Sequence, residues 1–247
     1  MRLTLNSHVF EWVTVIGALT LFLVLEHAID PFHRLFSLAD LSIQFPHAKH
    51  EQIPVWMLFL ISYGIPAIII CVVCTVLKRR TNTLHLSLLA LSASTALTVF
   101  ATALIKNGVG RPRPDLLDRC QPATGTPLQG LVDISVCTTK DAHFLNEGFR
   151  SFPSGHSSYA FAGLGFLAFW LAGQLMLFKA PPRSWKSFCC FTPIVGAAMI
   201  AVTRTEDYRH HWQDVTVGGV MGFTIAYFVS RAHGELVLYG GSRTDSV

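Results

Sequence analysis

Three short polar groups interrupt a chain that is otherwise strongly apolar. The first is the run Lys106-Asn-Gly-Val-Gly-Arg-Pro-Arg113-Pro114. The second is Pro153-Ser154-Gly155-His156. The third is Thr203-Arg204, followed by His210 and Asp214. These residue types suit a phosphoryl group, which carries negative charge on three non-bridging oxygens. Lys106, Arg113 and Arg204 offer cationic donors, and arginine adds a bidentate fork. Ser154 offers a hydroxyl. The backbone N–H groups near Gly155 open a helix, a natural anion site, and glycine lets that backbone come close. His210 and Asp214 are four residues apart, so a helix or its first turn puts them on one face. A carboxylate beside an imidazole fixes its tautomer and stabilises its cation, as an activated nucleophile requires. His156 then remains as the general acid for the leaving oxygen.

Each group alone also has a plain structural reading. Lys106 could cap a helix C-terminus, Ser154 could be an N-cap, and Arg204 and Asp214 could be interfacial anchors. Helix capping does not explain why all three fall on one side of the chain's apolar segments. A divalent metal on His210, His211 and Asp214 is the chemical rival. Lys106, Arg113 and Arg204 would repel such an ion and attract a phosphate, so no metal and no cofactor is expected. His211 is one residue too close to Asp214 for a helical turn and is read as a neighbour of the nucleophile. Glu206, Asp207 and Arg209 are expected to form a solvated loop.

The elements that must position these groups are membrane helices. Of the 247 residues 51% are hydrophobic and 14% are charged, against about 25% charged in an ordinary soluble domain. Val55–Leu77, Leu84–Ile105, Ser157–Phe178, Ser187–Thr203 and Val215–Ser230 contain no charged residue. A span needs roughly 20 apolar residues, so the last two extend into their flanks. A sixth segment, Val13–Leu25, must include Glu11 or Glu26 near its ends to cross. A cleaved leader has an apolar stretch of this length too. The only basic residue ahead of it is Arg2 and no small-x-small site follows, so a retained helix is expected. Segments in lipid must satisfy their own backbone, hence helices. The expectation is an all-α, six-helix transmembrane bundle, a single domain over residues 1–247, with connections at about 28–54 and 106–155.

Lys78-Arg79-Arg80, Lys179, Arg183, Lys186, Arg231, Arg243 and Arg2 fall on one side of six spans, which reads as cytoplasmic. The other side carries ten Lys and Arg, many of them in the polar groups above. The site is therefore expected at the non-cytoplasmic ends of helices three to six. Cys120 and Cys137 lie on that side, where an oxidising compartment permits a disulfide; two free thiols are the alternative. The net charge of +4 comes with no basic stripe, so no nucleic-acid partner is expected. Gly218 and Gly222 are spaced for close helix packing.

These residues resemble the signature of the type 2 phosphatidic acid phosphatase superfamily, which includes lipid phosphate phosphatases and vanadium haloperoxidases. Lys106 with Arg113-Pro114 resembles its first motif; Arg111-Pro112 has the wrong spacing. Pro153–His156 resembles its second, and Arg204, His210 and Asp214 its third, with Thr203 where the family has Ser. The resemblance implies a phosphohistidine at His210, protonation of the leaving group by His156, and no need for magnesium. In the family's lipid phosphatases the site faces the lumen or the exterior. Asp30-Pro-Phe-His-Arg-Leu-Phe, Phe45-Pro-His-Ala and Glu51-Gln-Ile-Pro resemble the fungal and plant lipid phosphate phosphatases that act on phosphatidate and diacylglycerol pyrophosphate. This implies that part of the first connection lies flat on the membrane near the site; a plain connector is the alternative. The implied partners are a lipid phosphate, lysophosphatidate included, and the bilayer. The membrane could be endoplasmic reticulum, vacuole, Golgi or plasma membrane. The same motifs fit a polyisoprenyl pyrophosphate or a sugar phosphate. A transporter, or an inactive binding member, is the reading from a different class.

Overall fold

A computed structural model describes residues 2–77, 81–178 and 183–239. Among the basic residues used for orientation, Lys78, Arg79, Arg80, Lys179 and Arg243 lie outside the described residues. The chain is all-helical: α1 Arg2–His27, α2 Val55–Phe59, α3 Ile65–Val76, α4 Thr81–Val109, α5 Leu116–Cys120, α6 Ala142–Glu147, α7 Gly155–Gln174, α8 Ser184–Glu206 and α9 Trp212–Tyr239. A π-helical turn, Leu60–Gly64, joins α2 and α3 into one rod. The described residues contain no strand, only the isolated bridges Phe36–Val132 and Pro122–Cys137.

Among the described residues five helices are long and apolar enough to cross a membrane: Val9–His27, Val55–Val76, Thr81–Val109, Ser184–Glu206 and Trp212–Gly234. Helix α7, expected as a span, is not among them. The reason is its position. It is packed on several sides by α9, α8 and α4, so its residues answer to neighbouring helices rather than to lipid. Small residues replace large apolar ones along it. A Cβ at Gly163 would meet the Ser62 carbonyl oxygen at 1.7 Å, and one at Gly222 on α9 would meet the Ser158 carbonyl oxygen at 2.0 Å. Gly218 and Gly222 thus serve packing within the chain. Hydroxyls tie α4 to α7: Ser94 donates to the Ala162 carbonyl (3.0 Å), Thr102 bonds Ser158 (2.9 Å), and the Trp170 indole donates to Ser87 (3.1 Å). Where water is scarce, such bonds satisfy groups that would otherwise be stranded.

The two long connections are not plain loops. They fold together into a cap with its own apolar core of Phe36, Ile43, Leu116, Cys120, Leu145 and Phe149. Cys120 and Cys137 form a disulfide in it, which decides between the two readings of that pair. Gly110 ends α4 with φ +58° while the chain at Phe32 crosses so closely that a Cβ would strike its carbonyl. The cap seals one end of the bundle, where α4 and α8 end and α7 and α9 begin.

Candidate active site

At that end the cationic residues converge. Lys106 is in the last turn of α4 and is buried. Its ammonium lies 3.4 Å from where a Cβ on Gly155 would be, so glycine leaves room between the cation and the start of α7. Ser154 is the N-cap of α7, its hydroxyl accepting weakly from the Ser157 N–H at 3.5 Å. The Ser154 N–H donates to the Asp214 carbonyl (3.0 Å), locking the start of α7 to the first turn of α9. Arg113 is buried, and its Nη2 donates to Glu147 (2.9 Å) and more weakly to the Arg150 carbonyl (3.4 Å). The Nε of Arg113 has no partner among the described residues. An unpaired buried donor costs free energy unless something fills it, and an anion in the pocket is the natural acceptor.

His210 lies in the turn between α8 and α9 and is 5% exposed. Its Nδ1 is 2.7 Å from the Ser151 carbonyl. A carbonyl only accepts, so Nδ1 carries the hydrogen and the lone pair of neutral His210 is on Nε2. Burial, then the charges of Arg113 and Lys106, push its pKa well below the ordinary imidazole value. The ring is therefore a neutral nitrogen base beside cations, the state a nucleophile requires.

Asp214 is fully buried but does not reach His210 directly. Its Oδ1 accepts from Arg111 (2.6 Å), and its Oδ2 accepts from the Ser151 hydroxyl (2.6 Å) and the His211 N–H (3.0 Å). Nδ1 of His211 also lies 3.2 Å from Oδ2. The shared-face expectation for His210 and Asp214 is thus modified. Helix α9 begins at Trp212, after His210, so the intended helical spacing does not apply. Ser151 joins the two instead, with its hydroxyl on Asp214 and its carbonyl on His210. Arg111 and His211, both set aside on spacing, are partners of Asp214.

The Arg204–His210 segment also differs from expectation. Glu206 is exposed, but Asp207 is buried. Arg204 is 1% exposed; it donates to Asp207 (3.0 Å) and to Glu51 (2.9 Å). Arg209 pairs with the other oxygen of Glu51 at 2.9 Å. The cap turns a charge run that looks solvated into a buried network. His156 is partly buried near the start of α7, with Nε2 3.0 Å from the Ile53 carbonyl and 3.7 Å from Glu51.

Glu147 and Arg150 brace Arg113. Glu147 takes bonds from Arg113 (2.9 Å) and Arg150 (3.1 Å), and Arg150 also holds Asn107 (3.1 Å) and the Ile29 carbonyl (2.9 Å). Burial would raise the Glu147 pKa, but Arg113, Lys106 and Arg150 outweigh it and hold the carboxyl at about 2. The ordinary value is 4.5. The stabilisation is present above 4.5 and is lost as pH falls towards 2, because the unfolded chain binds that proton first. Glu147→Gln is expected to cost about 3 kcal/mol near neutral pH, leaving two buried guanidinium groups short of an anion. Its unfolding temperature should also fall less than the parent's between pH 5 and 2. An unchanged unfolding temperature at pH 7 counts against this bracing role.

Volume does not find this site. A cleft of about 1430 Å³ lies between α7, α8 and α9 around Trp170, Phe178, Phe191 and Arg231. None of the site residues lines it, so the charged cluster is the better guide to chemistry. A smaller cleft of about 390 Å³ runs between α8 and α9 over Phe161 and Gly219, ending at Val202 and Val215 beside the site.

The chain is similar in sequence to known proteins. A profile of the PAP2 superfamily matches residues 87–237, which include every one of the three polar groups. Diacylglycerol pyrophosphate phosphatase 1 of Saccharomyces cerevisiae is 46% identical over 206 residues, covering 82% of this chain and 71% of the yeast protein. Lipid phosphate phosphatase 2 of Arabidopsis thaliana is 37% identical over 224 residues, covering 90% of this chain and 75% of the plant protein. No solved structure matches significantly.

Proposed function

The chain belongs to the PAP2 superfamily, and from that premise we propose that it is a membrane hydrolase that dephosphorylates lipid phosphates through a phosphohistidine at His210. The observation that carries this is the buried, neutral His210. The Ser151 carbonyl occupies its Nδ1–H, so Nε2 is the nitrogen left for phosphorus, beside Arg113 and Lys106.

In the first step Nε2 of His210 attacks phosphorus and the bond to the lipid oxygen breaks. His156 gives its proton to that oxygen. In the second step His156, now neutral, takes a proton from water, whose oxygen attacks phosphorus. Phosphate leaves and His210 is regenerated. Lys106, Arg113, Arg204, the Ser154 hydroxyl and the N-terminus of α7 neutralise the charge on the transferring group. The chemistry asks for cations and no metal. Thr203 keeps the hydroxyl of the family's serine; it accepts from the Arg204 guanidinium (3.2 Å from Nε, 3.1 Å from Nη2).

A lipid substrate is supported by the setting and by the named relatives. We read six spans, with α7 as the protein-buried one, forming a single membrane domain. The disulfide supports a non-cytoplasmic location for the cap and its site. The cleft between α8 and α9 gives an acyl chain an apolar surface that stops beside the charged residues. The test is phosphate release by the purified protein in detergent with EDTA present. Phosphatidate, diacylglycerol pyrophosphate and lysophosphatidate are expected to be hydrolysed well. Turnover of only a polyisoprenyl pyrophosphate would overturn the glycerolipid assignment, turnover of only glucose 6-phosphate the lipid assignment as a whole, and loss of activity in EDTA the metal-free chemistry.

A further inference from the structure

Residues 47–54 run as a strap from the cap to the start of α2. The strap is pinned by polar contacts. The His47 N–H donates to Asp118 (2.8 Å), its Nδ1 lies 2.6 Å from Asp115, and the Gln52 N–H donates to Asp207 (3.0 Å). Glu51 is the side chain of the strap that enters the site. Its Oε2 is 2.9 Å from Arg204 Nη1 and 3.7 Å from His156 Nε2, and its Oε1 is 2.9 Å from Arg209. Two residues later the Ile53 carbonyl sits 3.0 Å from the same His156 Nε2. That carbonyl can only accept, so Nε2 carries a hydrogen. The nitrogen left to face a substrate is Nδ1, which holds a proton only when the ring is an imidazolium.

We propose that Glu51 is a positioning residue for departure of the lipid oxygen: with the Ile53 carbonyl it holds the Nε2–H edge of His156, leaving Nδ1 for the leaving group, and its charge favours the imidazolium over the neutral ring. This rests on His156 being the acid of the proposed function. Burial, then the charges of Arg204 from α8, Lys106 from α4 and Arg113 from the cap, push the His156 pKa below the ordinary imidazole value, while the Ile53 carbonyl pulls it up. His210 from the turn before α9 faces the ring as well. The three cations oppose a further positive charge. Glu51 supplies the opposing negative charge at a distance where it favours the charged ring. Arg209 and Arg204 hold its carboxylate in place, and Asp207 shares Arg204. The two histidines thus use opposite nitrogens. Nδ1–H of His210 is tied down to free Nε2 for phosphorus, and Nε2–H of His156 is tied down to free Nδ1 for the proton.

The experiment compares Glu51→Gln with the parent on two substrates. Phosphatidate leaves as an alkoxide and needs the proton; p-nitrophenyl phosphate leaves as a stable phenolate and does not. The readout is kcat/KM, which covers the steps up to departure of the leaving group, taken as a function of pH. For Glu51→Gln, kcat/KM on phosphatidate is expected to fall about 100-fold, the scale of lost general acid catalysis, and its alkaline limb to move to lower pH. On p-nitrophenyl phosphate the fall should be about tenfold at most, on the same scale of acid catalysis. Glu51→Asp should recover part of the loss. Unfolding temperatures in detergent show whether each variant is folded. Equal loss on both substrates with an unmoved alkaline limb overturns the proposal, because Glu51 would then only brace Arg204. A parent that turns over neither substrate overturns the phosphatase reading itself, and this proposal with it.

Discussion

His210→Ala is expected to lower kcat on phosphatidate by at least about 10⁴-fold, the scale seen when a covalent nucleophile is removed. The loss is chemical rather than structural. His156 lies among the same cations, but the Ile53 carbonyl holds its Nε2–H and the proposed mechanism uses that ring as the acid, so it does not replace the lost nucleophile. Lys106, Arg113 and Arg204 remain, so phosphate should still bind and KM should change little. The residual rate is what charge stabilisation alone provides. The direct readout is the intermediate. Brief mixing of the parent with radiolabelled phosphatidate and quenching in alkali should trap phosphate on the protein, in an acid-labile bond. His210→Ala should trap none. Appreciable turnover in the variant, with no adduct in the parent, would end the nucleophile assignment.

The same residue sets the acid side of the pH profile. His210 reacts only when neutral, and burial with Arg113 and Lys106 lowers its pKa. The acid limb of kcat/KM should therefore lie well below the ordinary imidazole value, since the ring stays deprotonated as pH falls through that range. Arg113→Ala removes one of the charges responsible. Its acid limb should move up in pH, while its KM rises because a phosphate ligand is lost.

What the sequence could reveal follows from how each residue acts. Lys106, Ser154 and Arg204 stand at the ends of long apolar helices and Arg113 and His210 just beyond them, where polar types at fixed spacing are visible against a hydrophobic background. The structure brings them to one end of the bundle. Glu51 gave no such signal. Its partner Arg204 is 153 residues away, and only the folded cap brings them together. Ser151 is one more serine in a loop until its two bonds are seen. Asp207 and Arg209 read as solvated because a charge run beside a span usually is, and nothing local announces a cap that buries it. Arg111 was set aside for wrong motif spacing, yet its role is to hold Asp214, which no motif spacing tests. The Glu147-x-x-Arg150 pair did carry a local signal, the i,i+3 spacing of opposite charges. Helix α7 shows the reverse case. Its lack of charge made it readable as a span, while burial in protein kept its apolarity below that of the lipid-facing helices.

The route from Asp214 to His210 is where structure and motif reading part, and it makes the second strong prediction. Asp214→Asn keeps the shape but removes the charge, and it turns one end of the group into a donor. That donor must face Arg111, or Ser151 and the His211 N–H, all of which are donors to Asp214. One contact must break. If the nitrogen faces Ser151, the bond to its hydroxyl is lost or reversed; if it faces Arg111, the ion pair that anchors the group is lost. Either way the carboxamide holds Ser151 less firmly, and the Ser151 carbonyl holds Nδ1–H of His210 and so keeps the reactive lone pair on Nε2. We expect kcat to fall about 10³–10⁴-fold, as when an orienting carboxylate is neutralised beside a catalytic histidine. KM should hold, because Asp214 is engaged by protein donors rather than by the phosphate. Ser151→Ala removes the hydroxyl but keeps the carbonyl, and should cost about tenfold, the effect of losing one hydrogen bond. The decisive measurement is the cycle with both changes. If Asp214 acts through Ser151, the double variant should be no slower than Asp214→Asn alone, since the link is already broken. If the two losses multiply, Asp214 reaches His210 by another path, and the serine bridge is only packing. His211→Ala is the control. It removes the Nδ1 contact with Asp214 but leaves its backbone N–H in place, so it should slow turnover far less than Asp214→Asn.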